Sequence, residues 1–400
     1  MVREGELVVI EANGRQSRFG SPDPERAPVV IRFTDRRVPL SIISDPRLGV
    51  AEAFMDGRLI IEQGDIRALI DLVRSNNRWE KGGVGLRKAR WNKLASEVTS
   101  RIDRINWRAR SKRNVAHHYD LGDRLYDLFL DADRQYSCAY FTPGAHGDLD
   151  RAQQDKKAHI AAKLALSPGQ RVLDIGCGWG GMALYLHRLF DVDVLGITLS
   201  EEQLKTARRR ASEAGVADRV KFQLIDYRDV TGPFDRIVSV GMFEHVGPPH
   251  YREFFAKCRS LLAEDGVMLL HTIGRMGRPG KTDAFTAKYI FPGGYIPALS
   301  EVLVASEPAK LIASDIETLR LHYAHTLDLW YDRVVAQKDA IVALYDERFY
   351  RMWTFYLAGA ASAFRDGGMC NYQIQYIRRR DALPITRDYM AEAERGLRSR

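Results

Sequence analysis

The groups most able to do chemistry in this chain recur at one kind of place, just after a short apolar run. Asp174 follows Val172-Leu173, Asp226 follows the run Val220–Leu224, Glu244 and His245 follow Phe234–Val240, and His271 closes Val267–Thr272. Asp174 leads straight into Ile175-Gly176-Cys177-Gly178-Trp179-Gly180-Gly181. Glycine lets the backbone take positive φ and lets a ligand approach without meeting a Cβ. An acid set before such a turn suits a cationic group. That tilts the reading toward S-adenosyl-L-methionine (SAM), whose amino group is cationic. Gly176, Gly178 and Gly181 also fit the G-x-G-x-x-G spacing of dinucleotide sites, so spacing alone leaves NAD open. A purely structural glycine turn is the third alternative.

The remaining candidates follow from the rule that ligands of open α/β sheets sit beyond the carboxyl ends of the strands. Asp174, Gly176 and Gly178 fall at the first strand end, and Thr198, Leu199 and Gln203 at the second. Asp226 and Tyr227 fall at the third. Asp174 would face the cofactor's amino group, Thr198 and Gln203 its ribose, and Asp226 its adenine amine. No acid stands at the second strand end, so the Thr198–Gln203 turn must take over the ribose. Glu244 and His271, on adjacent strand ends, could serve as an acid/base or anion-holding pair. Cys138 lies among aromatics and could be a nucleophile, although a small buried thiol is the commoner outcome. No ligand spacing among His117, His118, Cys138, Glu244 and His245 supports a metal.

These residues need a scaffold. Strands at 172–175, 192–197, 220–224, 234–240 and 267–272 alternate with helices, the pattern of a parallel doubly wound sheet. Ser200 reads as the cap of a helix at 201–214. A helix over 150–166 precedes the first strand. Further helix-like segments at 300–307, 326–349 and 349–364 and a last strand at 372–378 follow, with 275–350 expected to form a helical cover. Residues 1–75 read as a separate α+β domain with strands near 7–10, 29–33 and 58–62. Asp65 would cap a helix over 66–74 whose buried face carries Ile66, Leu69, Ile70 and Val73. The expected organisation is therefore an N-terminal lipid- or membrane-docking domain at 1–75, a basic linker at 76–114 and a catalytic domain at 115–400.

Net charge is +8 over 400 residues. Between Arg78 and Asn114 twelve Lys/Arg face three Asp/Glu, a local +9 that leaves about −1 for the rest. Such a run suits an anionic partner, nucleic acid or a membrane surface, unless it is only a solvated linker. Trp91, Leu94, Val98, Ile102 and Ile105 would stripe an amphipathic helix over 90–106, a composition found at membrane surfaces. Its tryptophans could equally pack between domains. Four scattered cysteines without a C-x-x-C pair suggest a reducing compartment. The opening residues carry no apolar signal segment, and no 18-residue window is apolar throughout. A cytoplasmic protein, peripherally associated with the inner face of the membrane, is expected.

Several motifs together resemble the cyclopropane-fatty-acyl-phospholipid synthases and their mycolic-acid relatives. They are Asn114–Gly122, Tyr136-Ser137-Cys138-Ala139-Tyr140-Phe141, Val172–Gly181, Gly196–Ser200, Ser239–Gly247, His271-Thr272-Ile273-Gly274, Phe291–Tyr295 and His322–Leu327. The resemblance spans about 115–380. The N-terminal domain resembles the family's smaller domain only in outline, with a sterol-carrier-like lipid fold as one form. The resemblance implies an α/β fold: the Rossmann-like sheet of a SAM-dependent methyltransferase with a helical cover, plus a small N-terminal α+β domain. It implies that the cis double bond of a phospholipid acyl chain takes the methyl of SAM, and that the resulting carbocation loses a proton and closes to a cyclopropane. The implied proton acceptor is bicarbonate, held by Cys138 (through its backbone), Glu244, His271, Ile273 (backbone) and Tyr323. Tyr136 and Ser137 join the cofactor set. Tyr119, Tyr140, Phe243, Tyr295 and Tyr323 could offer π faces to a cation.

Two sister readings stay open: a methyl-branched or methylene acyl product, or a non-lipid substrate. A nucleic-acid methyltransferase is disfavoured, because Gly241-Met242-Phe243-Glu244 stands where a base-flipping Asn-Pro-Pro-Tyr motif would be. A non-enzymatic lipid binder is disfavoured by the intact glycine turn. The expected partners are a phospholipid bilayer with unsaturated acyl chains and, at most, a second copy of the chain as a homodimer. Nucleic acid is not expected.

Overall fold

The computed structural model describes residues 2–46, 48–82 and 122–398. Most of the basic stretch, the expected 90–106 helix and the 114–121 part of the first motif, with His117, His118 and Tyr119, lie outside the described residues. The chain packs as two units.

The first unit contains the N-terminal residues together with 282–292 and 324–369. Its sheet runs β2-β1-β3-β4, from Gln16–Ser21, Gly5–Ile10, Val29–Phe33 and Leu59–Gln63. β1 is antiparallel to β2 and parallel to β3. Asp65 caps the Ile66–Ser75 helix, accepting from the Ala68 N–H at 2.7 Å. That cap meets one of the orphan donors at the helix start. The buried face is centred on Leu69 and takes in Ile66 and Leu72; Val73, expected inside, is exposed. The Gly49–Met55 and Ile66–Ser75 helices pack against the Glu347–Arg365 helix. Arg365 reaches both Asp71 and Asp328 there.

This packing departs from the expected boundaries. Residues 324–369 group with the N-terminal sheet, whereas 115–400 was expected to be one domain with 275–350 as its cover. The segment expected as one helix over 326–349 is two, His322–Ala336 and Lys338–Leu344, interrupted at Gln337.

The second unit holds 122–281, 293–323 and 370–398. Its seven-stranded sheet runs β10-β11-β9-β8-β5-β6-β7. The strands are β5 Arg171–Ile175, β6 Asp193–Thr198, β7 Val220–Leu224, β8 Phe234–Val240, β9 Leu262–Arg275, β10 Ile312–Leu319 and β11 Met369–Ile377. β5 through β9 pair in parallel, and β10 is antiparallel to β11. β5 lies between β8 and β6, so the winding direction reverses beside it, the position at which open sheets form a ligand crevice.

Both faces of the sheet are covered, as parallel strands require. Leu173, Ile175, Ile237 and Leu270 belong to one buried cluster and Val172, Val194, Val238 and Leu269 to another. Their alternation along the strands separates the two faces. β10 was not foreseen. It is a polar edge strand whose Asp315 and Glu317 pair with Lys163, so its acids hide the period-two signal. The Asp388–Arg398 helix was also not foreseen.

Candidate active site

The carboxyl ends of β5, β6, β7 and β8 surround one cavity in the second unit. All ten cofactor candidates line it: Tyr136, Ser137, Asp174, Gly176, Gly178, Thr198, Leu199, Gln203, Asp226 and Tyr227. Gly176 turns the chain with φ +84°, and a Cβ there would lie 2.8 Å from Met242 Cβ. Asp174 is 2% exposed. Its Oδ2 has no hydrogen-bond partner among the described residues. Burial pushes its carboxyl up to about 7, with Lys156 opposing the rise. A buried carboxylate oxygen left unmatched is costly unless a cation meets it, and the amino group of SAM is such a cation. The glycine cradle and this oxygen fit SAM.

The ribose candidates are bonded to each other. Thr198 donates its hydroxyl to Gln203 Oε1 at 2.9 Å and accepts from the Ser200 N–H at 3.1 Å. Ser200 caps the Glu201–Glu213 helix, accepting from the Gln203 N–H. This local capping carries Gln203 into the cavity. Asp226 is held by Arg228, which donates from Nε at 2.8 Å and Nη2 at 2.6 Å. An adenine amine there would share the carboxylate with that guanidinium.

None of the five candidates for anion holding lines this cavity; Ser137, beside Cys138, and His245, beside Glu244, do. The structure joins two of them directly: the Ile273 N–H donates to Glu244 Oε1 at 2.5 Å. Ile273's N–H, expected to face an anion, is thus engaged by Glu244. Glu244 Oε2 is buried without a partner among the described residues, and burial raises the carboxyl to about 7. His271 lies two residues before Ile273 on β9, 1% exposed. Its Nδ1 stands 3.1 Å from Gln373 Nε2 and its Nε2 3.4 Å from Asn371 Nδ2. Burial lowers its imidazole to about 3, so it is neutral at physiological pH. Cys138 is buried and directs its Sγ to the Ala139 carbonyl. Tyr323 is buried at the start of the His322–Ala336 helix. The residue before it, His322, accepts from the Phe141 N–H at 2.9 Å.

Three of the expected π faces are used elsewhere. Tyr140 is sandwiched between His159, 4.0 Å from ring centre to ring centre, and His322 at 4.7 Å. Phe243 is fully buried against Tyr251, Phe254 and Phe255. Tyr295 belongs to the same core and donates its hydroxyl to Glu301. The rings that do line the cavity are Tyr136, Trp179 and Tyr227.

Sequence reasoning missed the support behind the 135–138 loop. Gln153, fully buried on the Leu149–Leu164 helix, donates to the carbonyls of both Gln135 (3.1 Å) and Ser137 (3.0 Å). Lys156, one turn on, donates to their side chains. The available signal was a helix with too few large apolar residues for its position beside a strand.

Comparisons with known proteins agree on one family. The family model for mycolic acid cyclopropane synthetase matches residues 107–374. A probable fatty acid methyltransferase of Pseudomonas putida is 42% identical over 287 residues, 69% of this chain and 73% of that protein. The cyclopropane-fatty-acyl-phospholipid synthase of Escherichia coli K12 is 37% identical over 368 residues, 92% of each chain. The crystal structure of mycolic acid cyclopropane synthase CmaA1, complexed with SAH and CTAB, superposes with a TM-score of 0.63 at 36% identity, covering 66% of this chain and 97% of that one.

Proposed function

Because the chain belongs to the mycolic acid cyclopropane synthetase family, we propose that it acts on cis-unsaturated acyl chains of membrane phospholipids, adding one carbon from SAM and closing a cyclopropane ring. The coarser activity, SAM-dependent cyclopropanation of a lipid, follows from membership of the family. The phospholipid substrate and the route of the proton are the proposal.

The observation that carries it is Glu244. An alkene is a weak nucleophile and needs no deprotonation before it attacks, so no ionised base has to face it. The carbocation that follows needs a dry site without competing nucleophiles. Glu244 and His271 meet that demand, because burial favours the neutral form of both. Bicarbonate, when bound, would supply the base that takes the proton. Glu244 in its neutral form can donate from Oε2 to such an anion while Oε1 keeps the Ile273 N–H. Cys138 and Tyr323 complete the proposed set.

Tyr136, Trp179 and Tyr227 line the cavity and are proposed to offer aromatic faces to the cofactor. Asp174 holds its ammonium and the Thr198–Gln203 pair its ribose.

The basic stretch at 78–114 is proposed to hold the enzyme on anionic headgroups, at about 1 kcal/mol per well-placed cation. The N-terminal unit would dock lipid. No helix among the described residues is long and apolar enough to cross a membrane, and a peripheral, cytoplasmic-face location is proposed. A homodimer is proposed as the assembly and nucleic acid is not a proposed partner.

A second reading, a methyl-branched or methylene product, is favoured by the likeness to the Pseudomonas putida fatty acid methyltransferase. One experiment separates the outcomes. The protein is incubated with SAM and vesicles of cis-unsaturated phospholipid, and the fatty esters are analysed by mass and proton NMR. A gain of one methylene with ring protons supports the proposal. A branched methyl or exocyclic methylene signal supports the second reading, and no mass gain overturns both.

A further inference from the structure

Lys156 is a fully buried cation beside the cofactor cavity that the proposed reaction does not use. Its Nζ donates to Gln135 Oε1 at 2.6 Å and to Ser137 Oγ at 2.9 Å. Both acceptors are neutral, and both residues line the cavity. Among the described residues, no carboxylate stands within salt-bridge distance of it.

Its nearest counter-charges, Asp131 and Asp174, act on it through space and make no ion pair with it. Asp133 is paired with Lys157 and Arg210. Asp131 accepts the backbone N–H of Asp133 at 3.0 Å and of Gln135 at 2.8 Å. A buried ammonium bonded only to neutral acceptors still gains from an anion brought up to those acceptors. Lys156 therefore delivers its charge to the cavity wall at Ser137.

The hydrogen-bond directions say where the anion must be. Ser137 accepts from Lys156, so its own proton is free to point elsewhere, and its side chain faces the cavity. Gln135 accepts at Oε1 and spends Nε2 on Asp133 Oδ2, at 3.3 Å, so it fixes Lys156 without donating onward. The loop carrying both is held by Gln153 from the same helix face. Asp174 lines the same cavity as Ser137 and feels the Lys156 charge, and the amino-acid end of SAM is a zwitterion.

We propose that Lys156 is the positioning residue for the carboxylate of SAM, delivering its positive charge through the hydroxyl of Ser137 while Asp174 takes the ammonium. The proposal rests on reading the cavity as the SAM site. Burial lowers the Lys156 ammonium to about 8, which leaves it charged at neutral pH, as the role requires.

The test compares two ligands that differ by the carboxylate alone, SAM and decarboxylated SAM, by titration calorimetry on the full-length protein. Lys156→Met should weaken SAM roughly 10- to 100-fold, the usual worth of a hydrogen bond to a charged group. Binding of decarboxylated SAM should stay within about twofold, as expected for an uncoupled site. Equal loss for both ligands, or no loss for SAM, overturns the proposal. Should Lys156→Met fail to fold, Ser137→Ala reports on the same relay: it must penalise SAM and spare the decarboxylated ligand, and equal penalties overturn the proposal. Wild-type protein that binds neither ligand overturns the reading of the cavity itself, a result distinct from either variant's.

Discussion

The N–H of Ile273, on β9, donates to Glu244 Oε1, after β8, at 2.5 Å, while Glu244 Oε2 stays buried without a partner among the described residues. One oxygen thus does structural duty and the other is left for chemistry. Glu244→Leu removes both the acceptor for the Ile273 N–H and the donor offered to an anion. SAM affinity should change by less than about twofold. Turnover on unsaturated vesicles should fall about 100-fold, the lower range for a proton-transfer group. Turnover equal to wild type would remove Glu244 from the catalytic set.

Asp174 makes cofactor binding depend on pH in a defined direction. Burial raises its carboxyl to about 7, so part of the population is neutral at neutral pH. The cofactor's ammonium prefers the carboxylate form. SAM affinity should therefore rise as pH climbs through 7 and fall by up to about tenfold per unit below it. Calorimetry in buffers of different ionisation enthalpy should show proton release on binding near pH 7. Asp174→Asn should bind weakly and lose this dependence; a variant with the wild-type pH profile would count against the pairing.

His271 bears on stability. Burial depresses its imidazole from 6.5 to about 3. The folded state holds it neutral, whereas the unfolded chain takes up a proton as pH falls below 6.5. Its contribution is fully present above 6.5 and is lost as pH falls from there toward 3. The urea midpoint of the wild type should drop over this window. In His271→Gln it should drop less steeply; identical slopes would show that His271 is not buried neutral.

Much of the cofactor cavity was readable because it rests on local rules. The Asp174–Gly178 turn follows from glycine's freedom at positive φ, and Ser200 from the capping preference that also brings Gln203 inward. What was not readable depends on partners distant in sequence. Tyr140 and Phe243 have the right rings, but the imidazoles of His159 and His322, and the Tyr251, Phe254 and Phe255 rings, take those faces. Lys156 and Gln153 violate the rule that charged and amide side chains face water, and their partners in the 135–138 loop lie well before them in the chain. β10 escaped notice because an edge strand can carry acids that a central strand could not. The grouping of 324–369 with the N-terminal sheet rests on the packing of the Glu347–Arg365 helix against the Gly49–Met55 and Ile66–Ser75 helices, with ion pairs such as Arg67 with Asp332, at 2.7 Å, beside it.

Two glycines of the opening turn separate fold from ligand. Gly176 and Gly178 both take positive φ, +84° and +53°. A Cβ on Gly176 would stand 2.8 Å from Met242 Cβ, inside contact distance of a neighbour on the β8 side. A Cβ on Gly178 would meet nothing within 4 Å. Gly176→Ala therefore combines left-handed strain with overpacking and should cost roughly 2–4 kcal/mol of stability. Gly178→Ala carries only the conformational part, about 1–2 kcal/mol. The space beside Gly178 is open to the cavity, however, and a close backbone approach by the cofactor would collide with the new methyl. Gly178→Ala should accordingly lose SAM affinity by about tenfold or more while remaining the more stable of the two. Chemical denaturation and SAM titration on both variants give the comparison. If Gly178→Ala binds SAM as wild type does, the cofactor does not lie against this glycine, and the turn shapes the fold rather than the ligand.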